Sequence, residues 1–151
     1  MALTTAELTL LLGNEEPNYA EIAAKAGNTS TAAVAELAQS KDTMMATKAT
    51  YLASLLNDPE GAKIVEKASR SSNQLLRLAS ASALVNLPEI TRNKIAERLV
   101  DTDDISLQKL SLAAIQGKTS AKLRKRVDEL STGSDSEVIR NLSKSALIKI
   151  N

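Results

Sequence analysis

Three stretches of the sequence, Leu76–Leu87, Leu107–Lys118 and Ile139–Ile150, superimpose at offsets of 31 and 32 residues. One column of that alignment holds Leu84, Ile115 and Leu147, the next holds Ala83, Ala114 and Ala146, and a third holds Ser80, Ser111 and Ser143. Upstream, Ile64, Ile95 and Val127 coincide at the same offsets. A period of this length with two apolar stripes per unit describes a helical hairpin. Such a hairpin cannot bury its apolar face alone and does so by stacking on similar units. The repeat therefore constrains architecture tightly and leaves the ligand open.

Composition agrees with helices. Ala and Leu supply 45 of the 151 residues, Trp and Phe are absent, and Tyr19 and Tyr51 are the only aromatics. Side chains this small suit helices packed closely together. A chain of this length has enough residues for one domain with a substantial core. The absence of Cys removes disulfides, thiol catalysis and thiolate metal sites, and the absence of His removes the commonest metal ligand and general base. The apolar run Leu8–Leu12 is too short to cross a bilayer, and no basic residue precedes it as a secretory signal would require. A soluble cytoplasmic protein without a membrane partner is the expectation. Net charge is +1. Residues 1–59 carry three Lys against seven acids, a net of −4, and residues 60–151 carry sixteen basic against eleven acidic residues, a net of +5.

Breakers and caps interrupt the pattern at regular intervals. They include Gly13–Pro17, Gly27–Ser30, Gln39–Asp42, Asn57–Gly61, Ser71–Asn73, Leu87–Glu89, Asp101–Asp104, Gly117–Ser120 and Gly133–Ser136. They delimit ten segments that pair into five hairpins. Within segments, apolar residues recur at helical spacing. Leu75, Leu78, Ala79, Ser82, Ala83 and Val85 mark one face of the sixth; Thr91, Ile95 and Leu99 mark the seventh; Leu123, Val127 and Leu130 mark the ninth; Val138, Leu142, Ala146 and Ile150 mark the last, with Ile139 and Leu147 beside them. The first pair, about residues 4–26, fits the period worst, as an end unit with one face in water would.

These residues carry a resemblance to the HEAT-repeat family. Asp135-Ser136-Glu137-Val138-Ile139-Arg140, followed by Ala146-Leu147, looks like the start and end of the second helix of such a repeat, with one insertion. Arg77 with Ala83-Leu84 matches the later half, where Ser72 or Asn73 stands in place of the Asp; Asp103 or Asp104 with Gln108 and Ala114-Ile115 keeps the Asp and loses the Arg. The resemblance covers about residues 30–151. It implies an all-α, right-handed α-solenoid of the armadillo-like kind, with about ten helices in five HEAT-like hairpins. A single domain, 1–151, would then comprise an atypical capping hairpin over 1–28 and four repeats of about 30–32 residues over 29–151.

In such arrays the second helices usually line the concave side. On that reading a solvent-facing column would include Lys48, Arg77, Ser80, Gln108, Ser111, Arg140, Ser143 and Lys144, able to grip an acidic peptide or a phosphate backbone. The alternative for Arg77 and Arg140, suggested by the family resemblance, is an internal role, bonding turn carboxylates such as Asp135 or Asp104 of adjacent units. For Lys48, Ser80 and Ser111 the alternative is ordinary solvated surface. Lys122, Arg124, Lys125 and Arg126 form the one dense basic cluster, with Asp128 and Glu129 at i+4 from Arg124 and Lys125 and no interleaved aromatics. Asp101, Asp103 and Asp104 are the best carboxylate cluster, and capping of a helix near Ile105 explains them without a cation. No glycine-rich phosphate loop, nucleophile elbow or zinc-binding helix motif occurs.

The expected function is a non-enzymatic scaffold that binds another protein through its second-helix surface, with no catalytic residue, metal or cofactor. One alternative is a nucleic-acid-associated HEAT-like protein that holds phosphates through its basic C-terminal half. Alkylpurine DNA glycosylases resemble the chain in fold. Another alternative is a HEAT-repeat accessory subunit similar to those of phycobilin lyases.

Overall fold

The computed structural model describes residues 2–151, which form an all-helical structure with no β-strand. Most helices begin where a short polar side chain accepts one of the otherwise orphaned first-turn N–H groups. Thr4 accepts from Glu7 N at 3.1 Å before α1 (Thr5–Leu12), and Asn18 from Glu21 N at 3.2 Å before α2 (Tyr19–Ala26). Asp42 accepts from Met44 N and Met45 N before α4 (Thr43–Ser54), and Asp58 from Glu60 N before α5 (Pro59–Ser69), where Pro59 takes the first helical position. Asn73, Asp104, Ser120 and Ser136 cap α6 (Gln74–Ala83), α8 (Ile105–Ala114), α9 (Ala121–Gly133) and α10 (Glu137–Lys149) in the same way. Only α3 (Thr31–Ala38) and α7 (Glu89–Val100) lack a side-chain cap.

In the even-numbered helices α4, α6, α8 and α10, the caps Asp42, Asn73, Asp104 and Ser136 follow at 31, 31 and 32 residues. The period seen in three stretches of sequence thus extends back to α4. Its apolar spacing is repeat-like there, with Ala49 standing in the Ser80 column and Ala53 in the Leu84 column.

The chain divides into two compact units, Met1–Leu87 and Pro88–Asn151. In the first, α4 is central and packs against α3, α5 and α6. It buries Ala46, Ala49, Leu52 and Ala53, and the small residues let neighbouring backbones approach. At Gly61 a Cβ would collide with the Ala53 carbonyl oxygen, so α5 can lie this close to α4 only because the residue has no side chain. The N-terminal pair is tied on by polar and aromatic contacts. Lys48 Nζ donates to the Leu12 and Asn14 carbonyls, both at 2.9 Å, and the rings of Tyr19 and Tyr51 meet edge to face at 4.9 Å.

In the second unit α10 packs on α9 and α8, and α7 packs on α8, around Ile95, Leu99, Leu107, Leu112, Ile115, Leu123, Val127, Ile139 and Ile150. The α8–α9 loop is held by buried polar side chains of α7. Arg92 Nη2 donates to the Gln116 carbonyl, and Asn93 Nδ2 to those of Gln116 and Lys118 at 2.9 and 2.8 Å. Gly117, at φ +79°, exchanges backbone hydrogen bonds with Lys149 and Asn151 in an isolated parallel bridge.

The repeat columns are core, as the period implies: Leu84, Ile115, Ala83, Ala114, Ala146, Ile95 and Val127 are all buried, while Leu147 and Ile64 are half-buried. The ninth segment also buries the face read for it, Leu123, Val127 and Leu130. Two faces are met only in part. In α6 Ala83 is buried as expected, but Leu75, Ser82 and Val85 face solvent, and Ser80 and Ala81 are inside with Leu84 and Leu87 beyond. In α10, Ala146 and Ile150 of the expected face are inside together with Ile139 and Ser143, while Val138 is exposed and Leu142 half-buried. Both helices offer two apolar stripes about one residue apart, and the buried face in each includes a serine, Ser80 or Ser143.

Candidate interaction surface

Much of the polar column of α4, α6, α8 and α10 is turned inward. Arg77 Nη1 donates to the Ser71 carbonyl at 2.7 Å, Gln108 Nε2 to the Thr102 carbonyl at 2.7 Å, and Arg140 Nη1 to the Ser134 carbonyl at 2.6 Å. In each case the acceptor lies six residues earlier, in the turn that leads into the helix. Gln108 also reaches the Val100 carbonyl at 3.4 Å. Three equivalent side chains thus close three equivalent corners, a clasp from helix to preceding turn. The acceptors are backbone carbonyls of each residue's own turn. The expected bonds of Arg77 and Arg140 to Asp135 or Asp104 are not the ones formed.

The solvent-facing reading also fails for the serines and the glutamine, since Ser80, Gln108, Ser111 and Ser143 are buried. Ser80 Oγ donates to the Val65 carbonyl of α5 at 3.0 Å. The Ser111 and Ser143 hydroxyls are enclosed without a partner. Lys48 is half-buried over the end of α1, and Lys144 alone of the column is exposed. The column fails because it was placed by periodicity, and one stripe of a helix cannot be told from its neighbour without the packing partner.

The basic cluster divides. Lys122 Nζ lies 3.8 Å from Glu97 of α7, and Arg126 pairs with Asp101, just past the end of α7, at 3.5 Å and with Glu129 of its own helix at 3.6 Å. Arg124 and Lys125 are exposed. Of the aspartates, Asp104 caps α8, accepting from Leu107 N at 3.1 Å, as the sequence suggested. Among the described residues no group of three or more His, Cys, Asp or Glu is placed to hold a metal ion, and no helix is long and apolar enough to cross a membrane.

Apolar side chains also reach the surface of these helices. Met44, Leu75 and Val138 each stand two residues after their N-cap and are 60%, 51% and 49% exposed. In α8 the equivalent position is Ser106, and the residue before it, Ile105, is 48% exposed. On α6 the face continues through half-buried Leu78 to exposed Val85. The signal available in the sequence was the N-cap spacing, which puts Met44, Leu75 and Val138 in one column. Without the burial pattern Leu75 and Val138 read as core.

The α3–α5 edge has a different geometry. Thr31 Oγ1 donates to Asp58 Oδ2 at 2.6 Å, fixing the start of α3 beside the cap of α5. This hydroxyl, and then the Glu60 amide, hold the Asp58 carboxyl below its ordinary range. At the other end of these helices, Ala35, Ala38, Gln39, Thr50, Ile64, Ala68 and Leu76 line an open cavity of about 400 Å³, with Lys67, Arg70 and Ser71 also contributing. No family model and no curated protein matches the chain.

Proposed function

We propose that the protein is a non-enzymatic, HEAT-like helical-repeat scaffold that binds another protein through apolar side chains at the amino-terminal ends of its second helices. The observation that carries this reading is the recurrence of exposed apolar residues at one helical position, Met44 and Leu75 in the first unit, a position that Val138 holds in α10 of the second. Isolated exposed apolar residues need no explanation, whereas the same exposure at the same place in α4 and α6 is what a repeated contact surface requires. The composition agrees, because a chain without His or Cys has few side chains suited to nucleophilic or acid–base work. The single array over residues 1–151 and its cytoplasmic setting belong to the same proposal.

A photo-crosslinking amino acid at position 75 tests it. In cells expressing the protein, a discrete partner should be captured, and Met44→Glu should weaken that capture at least ~10-fold at unchanged thermal stability. Capture that is indifferent to this charge, or equal from a probe at exposed Arg124, would reject this surface.

A further inference from the structure

The cavity between α3 and α5 arises from a mismatch in length. The helices start together at Thr31 and Asp58, but α3 has 8 residues and α5 has 11. At about 1.5 Å per residue, the last turn of α5 extends about 4–5 Å beyond the end of α3. The α3 side of the gap carries Ala35 and Ala38, too short to fill it, and Thr50 and Ala68 lie buried beneath. Thr50 spends its hydroxyl on the Ala46 carbonyl, so the floor offers no free polar group to orient a small molecule. The lip is cationic. Arg70 pairs with Glu66 at 3.0 Å, whereas Lys67 is exposed and makes no salt bridge among the described residues. None of the ten lining residues is acidic. The equivalent α7–α9 edge also has open cavities, but Glu97 or Asp101 lines them and the Glu97–Lys122 and Asp101–Arg126 pairs cross there, so the opening beside α3 differs in having no acidic residue in its lining.

We infer that this cavity is a second docking site, sharing no residue with the second-helix surface, for a helical peptide segment that presents aliphatic side chains at i, i+3 and i+7 followed by acidic residues. The aliphatic side chains fill the groove over Ala35, Ala38 and Ala68, and a carboxylate meets Lys67 at the lip. A cavity of this volume lies within the usual range for binding pockets, about 300–1,000 Å³.

The test is a titration of the isotopically labelled full chain with a synthetic helical peptide carrying three leucines at that spacing and a terminal Glu-Glu. A second peptide with Lys-Lys in their place serves as control. Amide shifts should concentrate at Ala35, Ala38, Lys67 and Ser71. Ala38→Phe should weaken binding at least ~10-fold, and Lys67→Glu about 5-fold while improving the Lys-Lys peptide. Lys67 is exposed, so its variant keeps the test intact if Ala38→Phe perturbs folding. No shifts up to about 1 mM peptide, or equal affinity for the two peptides, would overturn the proposal. A concentration-dependent dimer of the unliganded chain, abolished by Ala38→Phe, would overturn it in favour of a second copy.

Discussion

At Ser80 the buried hydroxyl donates to the Val65 carbonyl at 3.0 Å and so joins α6 to α5. Ser111 and Ser143 hold the same place in α8 and α10, equally enclosed, and neither hydroxyl has a partner. In α4 the position is Ala49, which shows that a methyl group is accommodated in this column. Removing a satisfied hydroxyl strands its acceptor, whereas removing an unsatisfied one relieves a desolvation cost. Ser80→Ala should therefore destabilise by about 1 kcal/mol, and Ser111→Ala and Ser143→Ala should be neutral or stabilising by up to ~1 kcal/mol, as read by urea denaturation. Asp58 supplies a pH-dependent contribution. Its carboxyl is held low by the Thr31 hydroxyl and the Glu60 amide, so the folded state favours the ionised form more than the unfolded state does. That stability is fully present above the unfolded value, near pH 4, and is lost as pH falls through the folded one. Melting temperatures between pH 2 and 6 should show a shallower acid decline for Asp58→Asn than for the wild type, and parallel curves would exclude the linkage.

Helices α6, α8 and α10 share a corner as well as a period. Arg77, Gln108 and Arg140 each bind a carbonyl in the turn that precedes their helix, and this accounts for why the column tolerates an exchange of Arg for Gln: both present an N–H at the end of a long stem. Replacing each with Ala should cost about 1 kcal/mol, with the largest loss at Gln108, whose removal strands two carbonyls in a buried setting. Thermal denaturation of the three variants checks the order. A stability unchanged in all three, with binding lost, would return these residues to a contact role. The corners were legible in sequence because capping is local chemistry. Asp42, Asp58, Asn73, Asp104, Ser120 and Ser136 all fall within the interruptions, and each caps a helix. The faces were legible only where one stripe was available, as in α9. In α6 the series Leu75, Leu78, Ser82 competes with Ser80, Ala83, Leu84, and the outcome depends on the Val65 carbonyl, a partner fifteen residues away. The cavity beside α3 escaped the sequence reading for a similar reason, since it depends on where two helices end relative to each other.

For the molecule as a whole, the division at Leu87–Pro88 places a separate apolar core on each side. Cooperative opening usually follows such units, so pulse-labelled hydrogen exchange should resolve two protection blocks, residues 1–87 and 88–151. One block with a single opening free energy would instead favour a continuous core through all the repeats. Within the first block, α1 should exchange fastest when Lys48 is replaced by Met, because its carboxyl end is tied to α4 by the two Lys48 hydrogen bonds. The six-residue reach of the clasp also bears on how a chain of this kind changes in length. Donor, acceptor and N-cap all lie within one continuous stretch, Ser71–Arg77, Thr102–Gln108 or Ser134–Arg140. A duplicated or deleted unit therefore carries its own corner chemistry with it and severs none in its neighbours. Only the apolar faces must be matched anew at the splice, which makes whole-unit duplication or loss less disruptive than a shift of a few residues.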